Sequence, residues 1–130
     1  MISSSTEFYR LRESENPEDY HRAAHDEAPI EIWMEVIEQR PDMRFWAAQN
    51  KTIPVPVLEI LASDDDVRVR DMVARKRKIT ELIALKLADD PDETVRAALA
   101  INRKLPPLAL AKLRYDQSPL VLAALEKQLG

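Results

Sequence analysis

Apolar positions recur along most of the chain at one fixed spacing. Met43-Arg44, Val69-Arg70, Val95-Arg96 and Val121-Leu122 open matching segments, each 26 residues after the last. Four apolar columns follow: Ala47, Val73, Leu99 and Leu125; Ile53, Ile79 and Leu105; Val57, Ile83 and Ala109; Leu61, Leu87 and Leu113. Polar columns keep the same register, with Asp64, Asp90 and Asp116 in one and Asp66, Asp92 and Ser118 in another. A repeat of this length is one supersecondary unit that cannot bury its apolar face alone and must stack on its neighbours.

Each unit has room for two short helices. The first begins near Asp66, Asp92 or Ser118, all good N-cap residues, and Ser118-Pro119 adds proline at the favoured first helical position. Pro54, Thr80 or Pro106 opens the second, where Val57, Leu58 and Leu61 share one face, and the Asp64, Asp90, Asp116 column ends it. Helices this short are marginal in isolation. The expected organisation is a polar N-terminal segment over 1–19, a divergent cap repeat over 20–42, repeats over 43–68, 69–94 and 95–120, and a capping helix over 121–130. Ile30 to Arg40 reads as an amphipathic helix with Ile30, Trp33 and Ile37 on one face.

Val95-Arg96-Ala97-Ala98-Leu99-Ala100-Ile101-Asn102, followed by Pro106, Leu110, Leu113 and Asp116, is the best copy of the unit. This pattern resembles the variant leucine-rich repeat family. The resemblance implies an all-α fold, a short α-solenoid of about four paired-helix repeats in the style of HEAT and armadillo arrays. Resemblance to solenoid families also implies a ladder between successive units, with Arg44, Arg70 and Arg96 facing Asp64, Asp90 and Asp116. A founding member of the family carries a cysteine-bound iron–sulfur cluster, which a chain without cysteine cannot hold.

Composition narrows function by exclusion. Among 130 residues there is one glycine, Gly130, and no cysteine. Phosphate loops, dinucleotide fingerprints and nucleophile elbows all need internal glycines, and thiol chemistry and disulfides need cysteine. Turns built without glycine must avoid positive φ or place Asn50, Asn102 or the Asp column there. Neither a signal-like apolar core nor a run of membrane-spanning length occurs, so the expected location is cytoplasmic. No cofactor is expected.

His21 and His25, four apart on a predicted helix, could share a metal or could be surface residues; without a third ligand or an intervening Glu, the expectation is no metal site. No Ser–His–Asp or paired-acid arrangement can be assigned, and no enzymatic activity is expected. Between the two helices of each unit, Lys51, Arg77 and Arg103 form a basic column with Lys78 and Lys104 beside it. It reads either as a solvated charge run or as a strip for phosphate or an acidic protein surface. Residues 1–42 carry eleven acidic and four basic side chains, a net of −7, against +3 for 43–130. Trp33 and Trp46 serve the core of the first repeats or a binding hot spot beside Glu31, Glu35 and Glu38. The expected function is recognition of another macromolecule, most concretely by a bacterial immunity protein that neutralises a basic toxin. The alternatives are nucleic-acid binding along the basic edge, against which a net charge of −4 argues, and a regulatory subunit of a larger enzyme.

Overall fold

The computed structural model describes residues 1–130, and all of its regular structure is helical. Ten α-helices follow one another: α1 Ser5–Glu13, α2 Pro17–His25, α3 Ile30–Gln39, α4 Arg44–Gln49, α5 Val55–Leu61, α6 Val67–Ala74, α7 Glu81–Ala88, α8 Glu93–Ala100, α9 Pro107–Leu113 and α10 Pro119–Leu129. A single 3-10 turn, Pro41–Met43, precedes α4. The chain divides into two compact units, Met1–Leu58 and Glu59–Gly130. The boundary falls inside α5, so the repeat expected over 43–68 is shared between them.

In the first unit, α1 packs on α2 and α3, while α4 packs on α2 and α3. Residues 1–19 are not the separate polar segment that their composition suggests. Ser4 caps α1 by accepting from the Glu7 N–H at 3.0 Å, and Glu7 accepts from the Ser3 N–H at 2.8 Å, which satisfies donors at the helix start. Ile2, Phe8 and Leu11 are fully buried, and Phe8 meets Trp33 edge-to-face at 5.1 Å between ring centroids. These three apolar residues, scattered among polar neighbours, were too sparse to read as a core stripe. On α3 the buried stripe is Trp33, Val36 and Ile37. Ile30, expected on that face, is the first helical residue and is exposed.

In the second unit, α6, α8 and α10 lie in sequence, α8 packing against both of the others, and α7 packs against α9. Val69, Val73, Val95, Leu99, Val121 and Leu125 from the first set meet Ile83, Leu87, Ala109 and Leu113 from the second in the buried core. The punctuation is local. Asp66 accepts from Arg68 N–H at 2.9 Å, Asp92 from Thr94 N–H at 2.8 Å, Thr80 from Ile83 N–H at 3.3 Å and Ser118 from Val121 N–H at 3.4 Å. No residue has positive φ and every peptide bond is trans. The turns therefore take the first of the two routes open to a chain without internal glycine.

If α1 belongs to the core of the first unit, Phe8→Ala removes a fully buried ring, which typically costs about 3–5 kcal/mol. Urea denaturation of the full chain should show a loss of that order, whereas a detached polar tail would give an unchanged midpoint.

Candidate functional site

The second unit is tied together by two arginines that do the same thing one repeat apart. Arg70 Nε donates to Asp90 Oδ2 at 2.8 Å and Nη2 to Asp90 Oδ1 at 3.3 Å, while Nη1 donates to the Asp64 carbonyl at 2.8 Å. Arg96 Nε donates to Asp116 Oδ2 at 2.8 Å and Nη2 to Oδ1 at 3.4 Å, while Nη1 donates to the Asp90 carbonyl at 2.7 Å. The carboxylates also shape the turns: Asp64, Asp90 and Asp116 accept from the N–H two residues on, at 3.0, 2.9 and 2.9 Å. Asp90 and Asp116 thus each hold their own turn and receive an Arg, and Arg70 and Arg96 each join two successive turns by fork-to-fork and carbonyl bonds. The pairs are largely out of water, with side-chain exposures of 15% and 4% for Arg70–Asp90 and 19% and 9% for Arg96–Asp116. In the first unit, Arg44 Nε donates to the Ile37 carbonyl at 2.6 Å.

A second column joins successive helices from the other side. Buried Asn102 donates from Nδ2 to the Ala74 and Lys76 carbonyls at 2.8 and 2.9 Å and accepts from the Lys104 N–H at 2.8 Å. Asn50, also buried, does the same in the first unit, donating to the Ala23 and Asp26 carbonyls at 2.8 and 3.0 Å and accepting from the Thr52 N–H at 2.8 Å. Gln128, 26 residues beyond Asn102, donates to the Asn102 carbonyl at 3.2 Å. Each side chain satisfies carbonyls left open at the end of an earlier helix. The signal was present in the sequence, because 50, 102 and 128 fall in one register, but Asn50 and Asn102 read there as turn formers and Gln128 as part of the capping helix.

The residues expected to contact a partner separate into distinct places. Trp33 is fully buried against Phe8, so its expected role in a binding surface is corrected to core packing. Trp46 is half-buried and lies under the Arg12 guanidinium, whose carbon is 3.3 Å from the ring centroid. On α3, Glu31, Met34, Glu35 and Glu38 are all exposed and, at spacings of three and four, occupy one stripe opposite Trp33, Val36 and Ile37. Glu35 accepts from Ser5 Oγ at 2.9 Å and from Gln39 Nε2 at 3.2 Å, which fixes the middle of the stripe.

The basic column has members in both units. Lys51 is exposed in the first unit. In the second, exposed Arg77 and Arg103 border a cleft of about 230 Å3 with Arg75, Ile101 and Asn102, and Lys104 is exposed next to it in sequence. Lys78 is half-buried, and that burial pushes its ammonium below the usual lysine range. His21 and His25 stack, with centroids 4.0 Å apart and planes inclined by 17°. A metal sits in the plane of an imidazole about 2 Å from its nitrogen. Two nearly parallel planes this far apart do not meet at such a distance, and no group of three or more His, Cys, Asp or Glu side chains could hold a metal ion. No helix is long and apolar enough to cross a membrane.

No family model, curated protein or solved structure matches this chain.

Arg96→Ala should leave Asp116 unpaired in a mostly buried site and cost about 2–4 kcal/mol, with a similar loss for Arg70→Ala. Arg75→Ala, which breaks an exposed ion pair with Asp71, should cost about 0.5 kcal/mol or less by the same denaturation measurement. The Asp116 carboxyl carries a pH signature as well. Burial alone would raise its pKa, but the bonds from Arg96 and the Ser118 N–H outweigh this and hold it below the ordinary carboxylate value. Its contribution is therefore present above the unfolded pKa of about 3.9 and is lost as pH falls through the lower folded value. Asp116→Asn should flatten the acid limb of the stability–pH curve in that window, while leaving the profile above pH ~6 parallel to wild type.

Proposed function

We propose that this protein is a recognition scaffold, a short α-solenoid whose helical repeats present fixed side-chain stripes to another protein. The observation that carries the reading is the stripe of Glu31, Glu35 and Glu38 around Met34 on α3, set in a region of net charge −7. Acidic side chains around one exposed thioether suit a basic protein surface, because the charges steer the encounter and the methionine adapts to apolar contacts. The Glu35 bonds to Ser5 and Gln39 support this use, since a carboxylate already held in place loses less freedom on binding. The most concrete form of the proposal is a bacterial immunity protein that covers a basic toxin domain, with no catalytic role of its own. Capture from the native cell, with the protein as bait, tests it. A basic protein should be retained by wild type and bind at least about tenfold more weakly to the Glu31→Lys, Glu35→Lys, Glu38→Lys variant. Failure to bind or inhibit a toxin encoded beside it would overturn the immunity assignment, and partner binding unaffected by the triple reversal would overturn the stripe.

A second reading rests on the cleft of Arg75, Arg77 and Arg103 in the second unit, where three guanidinium side chains surround exposed Ile101. That arrangement suits phosphates of a nucleic acid. It predicts binding that weakens steeply with salt and is lost on Arg77→Glu with Arg103→Glu; absence of binding to single- and double-stranded oligonucleotides at low salt rejects it.

A further inference from the structure

The most acidic stretch of the chain contributes to a cleft whose wall holds no carboxylate. Within the first unit, a cleft of about 600 Å3 between α1, α2 and α4 is lined by Arg12, Tyr20, His21, His25, Trp46 and Gln49. Arg12 is the unusual member. Its guanidinium carbon lies over the Trp46 ring, 3.3 Å from the centroid, its Nε is buried without a hydrogen-bond partner, and no carboxylate, carbonyl or hydroxyl of the protein accepts from it. Nearby arginines differ: Arg22 pairs with Asp26 at 2.8 Å and Arg40 with Asp42 at 2.6 Å. Contact with an indole orients a guanidinium, and with Nε closed off it is the Nη edge that is left for an oxyanion.

The imidazoles on the same cleft add a different requirement. His25 Nδ1 lies 2.9 Å from the His21 carbonyl oxygen. A carbonyl only accepts, so Nδ1 donates in that contact and Nε2 is the ring nitrogen left over for a ligand. The cleft therefore offers the Arg12 guanidinium and, apart from it, the His25 Nε2 edge. A carboxylate has two oxygens, and one guanidinium fork takes up both. A phosphoryl group has a third, which meets the imidazole as P–OH to a neutral ring or as P–O⁻ to a protonated one.

We propose that this cleft binds the phosphoryl group of a small phosphorylated molecule, held by Arg12 and His25, with Tyr20 and Gln49 lining the space left for the rest of the ligand. The site is separate from the α3 stripe, so neither proposal depends on the other. The test is an NMR titration of the full chain with inorganic phosphate, phenyl phosphate and, as the carboxylate control, acetate. Phosphate and phenyl phosphate should shift the Trp46 indole N–H and the His21 and His25 ring protons saturably, with phenyl phosphate binding more tightly if the ligand is an ester and equally if it is the free ion. Acetate should shift them only weakly and without saturation. Arg12→Gln should weaken the phosphate response by about tenfold, and His25→Gln, at an exposed position, should weaken it by several-fold, while Lys127→Gln, exposed and outside both clefts, titrates as wild type. The proposal is overturned if phosphate causes no saturable shift, if acetate does as well as phosphate, or if His25→Gln and Arg12→Gln both titrate as wild type. Should Arg12→Gln fail to fold, His25→Gln and the acetate control decide the matter.

Discussion

The second unit depends on a constraint that short helices cannot escape: seven or eight residues cannot hold themselves helical in water, so each must be fixed by its neighbours. Apolar burial supplies most of the attraction, but it is non-directional and does not by itself set the spacing between repeats. The Arg–Asp bonds do. Arg70 and Arg96 each reach back to one turn through a carbonyl and forward to the next through a carboxylate, so the spacing between these successive turns is set by hydrogen bonds of defined length. Because the pairs are largely desolvated, breaking one leaves a buried charge, which makes the register costly to shift.

The same constraint explains how a chain with no internal glycine turns so often. In the second unit each turn is closed by a side chain: an Asp carboxylate accepting from the N–H two residues on, an Asp, Thr or Ser capping the next helix, or an asparagine amide bonding its own turn and the end of an earlier helix. Every residue then stays at negative φ, where side chains are tolerated without strain. Polar residues that read as solvated punctuation are in fact the connectors, and their burial at Asn50, Asn102, Asp90 and Ser118 follows from that use.

Surface chemistry is segregated by the fold. In the first unit the acidic stripe of α3 and the cleft of Arg12, His21 and His25 are separate features, although most of their residues come from the same acidic stretch of sequence. In the second, arginines from neighbouring helix ends converge on one small cleft. Within the second unit, side chains one repeat apart are held in fixed relation to each other by the Arg–Asp bonds.

The sequence by itself determined the helices of the repeats, their N-caps at Asp66, Asp92 and Ser118, and the apolar columns of the second unit, because those depend on local hydrogen bonding and on periodicity that one chain displays. It did not reveal α1, whose Ile2, Phe8 and Leu11 are too sparse to form a periodic signal yet are fully buried once α2 and α3 provide a surface for them. Nor did it separate Trp33 from Trp46: both are large aromatics in an acidic region, and only the packing of Phe8 on one and Arg12 on the other gave them different roles. The cleft at Arg12 was invisible for the same reason, since it joins residues 12, 21, 25 and 46 through contacts between helices. Spacing along a chain records what neighbours in sequence can do together, whereas a buried Arg12 Nε without an acceptor exists only after tertiary packing has removed the water.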